Sequence, residues 1–186
     1  MKVIGIDPGK TIGLVLYDSD SKQVLDAAEG KGEQAILFAQ ALVYDWLQEG
    51  ASAVGIEWPR IYSKAGNDVA DTCIQTGMLC WMLGARLFPV ESGQWILQKN
   101  MYLHTVTRQQ VVKSLGDKMG QAVRTDAGVW AALVDLHGGS GVADKRKTKI
   151  AEGGALAEVI GKPHAKAALA VAWSVANTVD TDGSVK

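Results

Sequence analysis

The chain opens with Met1-Lys-Val-Ile-Gly-Ile-Asp-Pro-Gly-Lys-Thr-Ile-Gly13, and this stretch decides the fold. Its apolar run at residues 3–6 predicts a buried strand, which delivers Asp7 to a break at the following Pro-Gly. A second strand-like run at residues 12–17 follows at once, so the two runs predict a β-hairpin. An aspartate is costly to bury without a charged partner. Asp7 therefore either binds a cation or caps the turn.

The composition is that of an ordinary globular protein. The 186 residues are 47% hydrophobic and 21% charged, which predicts a single domain over residues 1–178 and a flexible tail over residues 179–186. No apolar stretch reaches the length of a membrane span, and the N-terminal residues lack a secretory pattern. Cys73 and Cys80 suit reduced thiols better than a disulfide. These features predict a cytoplasmic protein without a membrane partner.

The net charge of −1 conceals an uneven distribution along the chain. Residues 95–150 carry nine Lys and Arg against four Asp, whereas the remainder carries ten against sixteen Asp and Glu. A polyanionic partner would therefore meet a basic segment within a nearly neutral protein.

The order of predicted elements indicates the fold class. Three antiparallel strands end near residue 28, and helices and strands then alternate, with helices expected at 33–48, 68–84, 108–118, 124–136 and 163–177 and strands at 52–57 and 86–90. This order predicts an α/β fold in which a mixed sheet carries helices on both faces. The tryptophans at 46, 81, 130 and 173 fall in apolar helical stripes, so we expect them in the core.

A second carboxylate ends a strand in the same local sequence as the first. Gly5-Ile-Asp7 is matched by Gly55-Ile-Glu57, and if the two strands are neighbours both acids emerge at one edge of the sheet. Converging carboxylates repel one another unless a divalent cation such as Mg²⁺ neutralises them. Two such ions about 3.5–4 Å apart activate water and stabilise the leaving oxygen of a phosphodiester. That chemistry needs at least one further ligand.

Three segments together resemble the RuvC-type Holliday-junction resolvases of the RNase H-like superfamily. They are Ile4-Gly-Ile-Asp-Pro-Gly9, Val54-Gly-Ile-Glu57 and Pro163-His-Ala-Lys-Ala-Ala-Leu-Ala-Val-Ala172. The likeness is strongest to the divergent phage-type members, in which a Trp-Lys-like segment precedes a basic helix, here Trp95 and Lys99 before residues 107–112.

The resemblance implies a function as well as an RNase H-like mixed sheet. It implies an endonuclease that depends on Mg²⁺ or Mn²⁺, with two ions per site and no nucleotide cofactor. The implied substrate is branched DNA such as a four-way junction, and the implied assembly is a homodimer in the cytoplasm of a bacterial or phage-infected cell.

The resemblance also implies which residues form the site. Asp7 and Glu57 carry over as metal ligands, and His164 would ligate a metal or shuttle a proton. Family members usually place acids, or a histidine and an acid three residues apart, near the start of this helix. The present chain has Ala167 three residues after His164. Either a catalytic acid has been replaced by alanine, or the subgroup diverges naturally and uses another group, with Asp126 the best candidate and Asp135 the next.

Basic and aromatic residues near these motifs predict the DNA contacts. In the loop after Glu57 an aromatic residue between two cations would stack on the junction centre, while the other cations would track phosphates. A solvated surface explains the same residues without DNA. The candidates are Arg60, Tyr62, Lys64, Lys99, Arg108, Lys113, Lys145, Arg146, Lys147 and Lys149.

Two other functions compete with the nuclease. The alanine at position 167 favours a junction-binding protein that is catalytically impaired or inactive. Residues 7–11, Asp-Pro-Gly-Lys-Thr, also resemble the phosphate loop of actin-like ATPases. Such ATPases need a second glycine-rich segment and an adenosine motif, and we find neither in the sequence.

Overall fold

The fold is built on a five-stranded sheet with the strand order β3-β2-β1-β4-β7. A computed structural model describes residues 1–59, 67–84, 86–89, 95–98, 103–137 and 154–178. The strands are β1 (Lys2–Asp7), β2 (Thr11–Asp18), β3 (Gln23–Lys31), β4 (Ala53–Trp58), β5 (Arg86–Pro89), β6 (Trp95–Gln98) and β7 (Leu103–Thr107). The helices are α1 (Ala35–Gln48), α2 (Asn67–Met82), α3 (Arg108–Met119), α4 (Asp126–Leu136) and α5 (Pro163–Thr178), with a 3₁₀ turn at Ala157–Val159.

The sheet is mixed, as the sequence predicts. β1, β2 and β3 pair antiparallel, whereas β4 pairs parallel with β1 on one side and with β7 on the other. The predicted hairpin, the third antiparallel strand and the α/β mixed sheet are therefore confirmed. The architecture is consistent with the RNase H-like sheet that the resemblance implies. The predicted tail, residues 179–186, lies outside the described residues.

The fifth strand of the sheet differs from the expectation. The strand predicted at residues 86–90 forms as β5, but it pairs with β6 in a separate two-stranded sheet. The main sheet is extended instead by β7, which sequence analysis did not predict, and Arg108 begins α3 directly after it.

Helices cover both faces of the sheet because successive side chains along its strands point to opposite faces and both sets are apolar. Ile4 and Ile6 of β1 lie in one core with residues of α1 and α2, whereas Val3 lies in a second core with residues of α3, α4 and α5. Trp46 and Trp173 are buried as predicted. The prediction was wrong for Trp81, whose side chain is 74% exposed on α2.

Glycines on the α5 face of the sheet let that helix lie directly against the strands. A Cβ added to Gly5 would lie 2.0 Å from the carbonyl oxygen of Ala168, and one added to Gly13 would lie 2.1 Å from that of His164. A Cβ on Gly55 would lie 2.7 Å from a methyl group of Val175. Only glycine leaves room at these contacts, and the close approach brings the first turn of α5 to the end of β1.

Across the described ranges, no helix combines the length and apolar character that crossing a membrane requires.

Candidate active site

The two carboxylates predicted from the repeated Gly-Ile-acid pattern lie side by side at the sheet edge. Ile6 pairs with Ile56 in the parallel β1–β4 ladder, so Asp7 and Glu57 occupy the next position on neighbouring strands. Side chains alternate along a strand, so both acids share the face on which Gly5 and Gly55 meet α5. The sheet register thus joins two acids that are 50 positions apart in the sequence.

Burial and neighbouring negative charges disfavour the charged forms of both acids. Burial raises the pKa of Asp7 to about 7, and the negative charges of Asp126 and Glu29 contribute, while Arg108 opposes the shift. Burial is also the largest cause that raises the pKa of Glu57 to about 7. The negative charge of Asp7 raises this pKa further, and the positive charge of Arg108 lowers it. The edge therefore holds more negative charge than its protein surroundings neutralise.

His164 approaches this pair from the first turn of α5. Its Nδ1 atom lies 3.3 Å from Oδ2 of Asp7, and the histidine side chain is 42% exposed, whereas that of Asp7 is 19% exposed. The imidazole thus contacts a half-buried carboxylate and is itself partly open to solvent. This arrangement suits a metal ligand or a proton carrier.

A cleft of about 630 Å³ opens over these three residues. Ala167 lies in its wall, so the position where the resemblance implies an acid does face the cleft. The lining residues are Asp7, Glu57, Arg108, Asp126, Val129, Trp130, Pro163, His164, Lys166 and Ala167.

An ion pair between Arg108 and Asp126 forms another part of the cleft. Arg108 reaches it because α3 begins at the end of β7, where Thr107 and Gln110 form a capping box. Asp126 is the first residue of α4 and is 94% exposed. The structure thus brings the preferred candidate for the missing acid into the cleft, where its carboxylate is held by an arginine.

The second candidate for the missing acid lies elsewhere. Asp135 is exposed and lines a depression beside the α3–α4 connection, with Arg124 and Thr125. The structure therefore separates it from Asp7 and Glu57.

The donor set fits a hard divalent cation. Asp7 and Glu57 offer carboxylate oxygens and His164 a ring nitrogen, and the unneutralised charge of the acids favours a bound cation. Within the described ranges, no three His, Cys, Asp or Glu side chains converge closely enough to hold one ion by themselves. Mg²⁺ commonly keeps several waters and binds through one or two carboxylates plus phosphate oxygens. Two acids at a cleft floor meet that requirement.

The structure adds Glu29 and Trp130, which sequence reasoning did not place at the site, and it puts Lys166, a candidate to balance phosphate charge, in the cleft wall. Glu29 of β3 accepts hydrogen bonds from the start of α5. The ammonium group of Lys166 lies 4.5 Å from the ring centroid of Trp130 in the cleft wall, a cation–π distance. Trp130 is half-buried rather than fully in the core. The apolar stripe of α4 gave no signal that this ring borders a cleft.

The predicted DNA contacts divide into two groups. Arg108 lies in the cleft, whereas Lys113 is exposed on α3 beside a separate depression with Asp117 and Gly120. The others lie outside the described residues: Arg60, Tyr62, Lys64, Lys99, Lys145, Arg146, Lys147 and Lys149.

A comparison with known families and with curated proteins finds no family pattern that matches the chain and no significantly similar protein.

Proposed function

We propose that this protein is a metal-dependent endonuclease that cleaves phosphodiesters in branched DNA, with the four-way Holliday junction as its substrate. The observation that carries the proposal is the pair of adjacent half-buried acids, Asp7 and Glu57, at the floor of a cleft that also contains His164. The RuvC-type resemblance of the surrounding segments supplies the substrate class.

Each cleft residue has a defined part in this proposal. Asp7 and Glu57 would hold Mg²⁺ or Mn²⁺ together with water and phosphate oxygens, and the ion would supply Lewis-acid polarisation of the phosphate and a more acidic water. The guanidinium of Arg108 offers a planar fork of donors for phosphate oxygens. His164, oriented by Asp7, would carry the proton of the attacking water or the leaving oxygen.

A homodimer belongs to the same proposal. Ile74, Met78 and Trp81 are 61%, 47% and 74% exposed, and their spacing of four and three residues places them on one face of α2. Apolar side chains exposed in a row favour a self-complementary twofold contact, which would present two clefts to two strands of a junction. A cytoplasmic location in a bacterial or phage-infected cell completes the proposal.

A second candidate is a junction-binding protein without catalysis. Ala167 favours it, because this alanine lines the cleft where the resemblance implies an acid. The two candidates share the substrate and differ only in whether the cleft completes a reaction.

Cleavage of a synthetic four-way junction in Mg²⁺ or Mn²⁺ tests the proposal. The wild-type protein should cut the junction in preference to linear duplex. Asp7→Asn should lower the rate by a factor of 100 or more, roughly the loss expected when transition-state charge stabilisation is removed. Glu33→Gln changes an exposed acid outside the cleft lining and should cut like wild type.

The outcomes separate the two candidates. Selective junction binding without cleavage, combined with cutting by Ala167→Asp, would identify an inactivated nuclease. Selective binding without cleavage in either protein would favour the binding protein. Equal binding to junction and duplex, with no cleavage by either protein, would contradict both candidates.

A further inference from the structure

Glu29 lies in the same cross-strand row as Asp7. In the antiparallel ladders Gly13 pairs with Asp7 on one side and with Glu29 on the other. Directly paired residues project to the same face of a sheet, and Gly13 faces the backbone of His164. The side chain of Glu29 is therefore directed to the face that α5 covers.

The start of α5 cannot cap itself. Its first residue, Pro163, has no N–H group, and the preceding Lys162 has no side-chain acceptor. Lys162 instead donates from Nζ to the carbonyl oxygen of Ala27, 2.7 Å away. The first intrahelical bond runs from the N–H of Lys166 to the carbonyl of Lys162, at 3.1 Å.

Glu29 accepts the two N–H groups that remain. The backbone N–H groups of His164 and Ala165 both donate to Oε1 of Glu29, at 2.8 and 3.3 Å. These are the second and third helical positions, which an N-cap side chain usually serves. A carboxylate there also faces the positive end of the helix dipole. The cap of α5 thus comes from β3, more than 130 positions away in the chain.

This cap acts on the residue that contacts Asp7. Glu29 binds the backbone of His164, whose ring lies 3.3 Å from Asp7. We propose that Glu29 is a positioning residue, which fixes the first turn of α5 and thereby holds the His164 imidazole against Asp7. The proposal rests on the proposed nuclease function for its catalytic consequence, but its structural part stands without it.

Three substitutions separate the reach of Glu29 from its charge. Glu29→Gln keeps an oxygen acceptor at the same reach and removes the charge, whereas Glu29→Asp keeps the charge and shortens the side chain by one methylene. Glu29→Ala removes both properties. Glu33→Gln, an exposed acid of the same segment, is the matched control.

Hydrogen exchange of the His164 and Ala165 amides measures directly whether Glu29 protects them. Glu29→Ala and Glu29→Asp should speed exchange of these two amides about tenfold, the scale of a lost helix cap. Glu29→Gln should stay within about threefold of wild type, because a neutral acceptor still satisfies both donors. Unchanged protection in Glu29→Ala would overturn the proposal, and so would a Glu29→Gln variant as unprotected as Glu29→Ala.

Junction cleavage reads the consequence for the site. The turnover number of Glu29→Asp should fall about 10- to 100-fold with little change in KM, as expected for a misplaced catalytic group. The Glu29→Gln variant should keep a turnover number close to that of the wild type. A cleaving protein in which Glu29→Asp keeps the wild-type turnover number would overturn the positioning role. If the wild type does not cleave, the nuclease proposal fails, while amide exchange in the same four proteins still decides the contact.

Discussion

Replacing Asp7 by asparagine should stabilise the metal-free protein at alkaline pH while it removes the proposed function. Burial raises the pKa of Asp7 from its ordinary value of 3.8 to about 7. Between those two values the folded protein binds more protons than the unfolded chain, so its free energy of unfolding falls as the pH rises. Above pH 7 both states are ionised and the penalty is complete.

The size of the effect follows from the shift. A rise from 3.8 to about 7 spans roughly three pKa units, and each unit corresponds to about 1.4 kcal/mol, which sets an upper bound near 4 kcal/mol. Asp7 is 19% exposed, so solvent relaxation reduces this figure, and we expect on the order of 2–3 kcal/mol. Asparagine also removes the charge that helps raise the pKa of Glu57.

Urea unfolding at pH 5 and pH 8.5 in the presence of a chelator measures this directly. The wild type and Glu33→Gln should both lose stability between the two pH values. Asp7→Asn should lose about 1–2 kcal/mol less, because roughly a third of the Asp7 penalty is already present at pH 5. Millimolar Mg²⁺ should restore the wild type at pH 8.5 but not Asp7→Asn, because a ligand stabilises only the state that binds it. Parallel losses in wild type and Asp7→Asn would refute the electrostatic account of the site.

Three further substitutions test the packing, the cleft and the dimer. Gly5→Ala should lower the free energy of unfolding by at least about 2 kcal/mol in urea, because its Cβ would meet backbone at 2.0 Å, whereas Gly77→Ala on α2 meets nothing and should be harmless. Arg108→Gln removes a positive charge beside the acids, so Mn²⁺ binding measured by calorimetry should tighten severalfold. Junction binding should weaken and depend less steeply on salt, because one phosphate contact is lost. Weaker Mn²⁺ binding would contradict this account. Trp81→Glu should convert the proposed dimer to a monomer in sedimentation. An unchanged mass would show that α2 does not form the dimer interface.

The carboxylate pair could be predicted from sequence because strand ends follow a local rule. A short apolar run that stops at an acid marks both the strand and its edge, and the repeated Gly-Ile pattern marks both strands. The parallel pairing of β1 with β4 then brings Asp7 beside Glu57. Local pattern was sufficient here because the side-chain direction alternates with a fixed period of two.

β7 escaped prediction because its burial does not follow that period. Leu103 and Val106 are its buried residues, three positions apart, with half-buried polar residues between and after them. Such spacing is typical of a helix face rather than a strand. Because this strand was not predicted, the sequence also offered no reason for Arg108, the residue after it, to line the same cleft as Glu57.

Glu29 escaped for a related reason. The predicted third strand ended at residue 28, since an acid and a glycine follow and both are depleted in strands. In the structure β3 continues to Lys31. Glu29 accepts hydrogen bonds from α5, and Gly30 leaves room for the close approach of α1. Their partners are distant in the chain, so local propensity carries no trace of them.

The apolar stripe of α2 shows a different limit. Periodicity indicates that a face is apolar but not which surface covers it. Trp46 and Trp81 give the same signal in sequence, yet one is 2% and the other 74% exposed. Packing within the chain explains the burial of Trp46, whereas the proposed dimer would cover Trp81 together with Met78 and Ile74.

The charge balance of the cleft gives Ala167 a physical meaning beyond an absent ligand. Asp7 and Glu57 are already disfavoured as anions, Asp126 is paired with Arg108, and Glu29 caps the start of α5. A carboxylate at position 167 would lie one helical turn from His164 and add a further negative charge to this cleft. That charge would lower the free energy of unfolding of the metal-free protein. It would at the same time raise the affinity of the cleft for a cation. Alanine avoids both effects. In the proposed metal site this position would therefore set how strongly folding of the cleft is linked to the metal, with the acid pair as the minimum set of ligands.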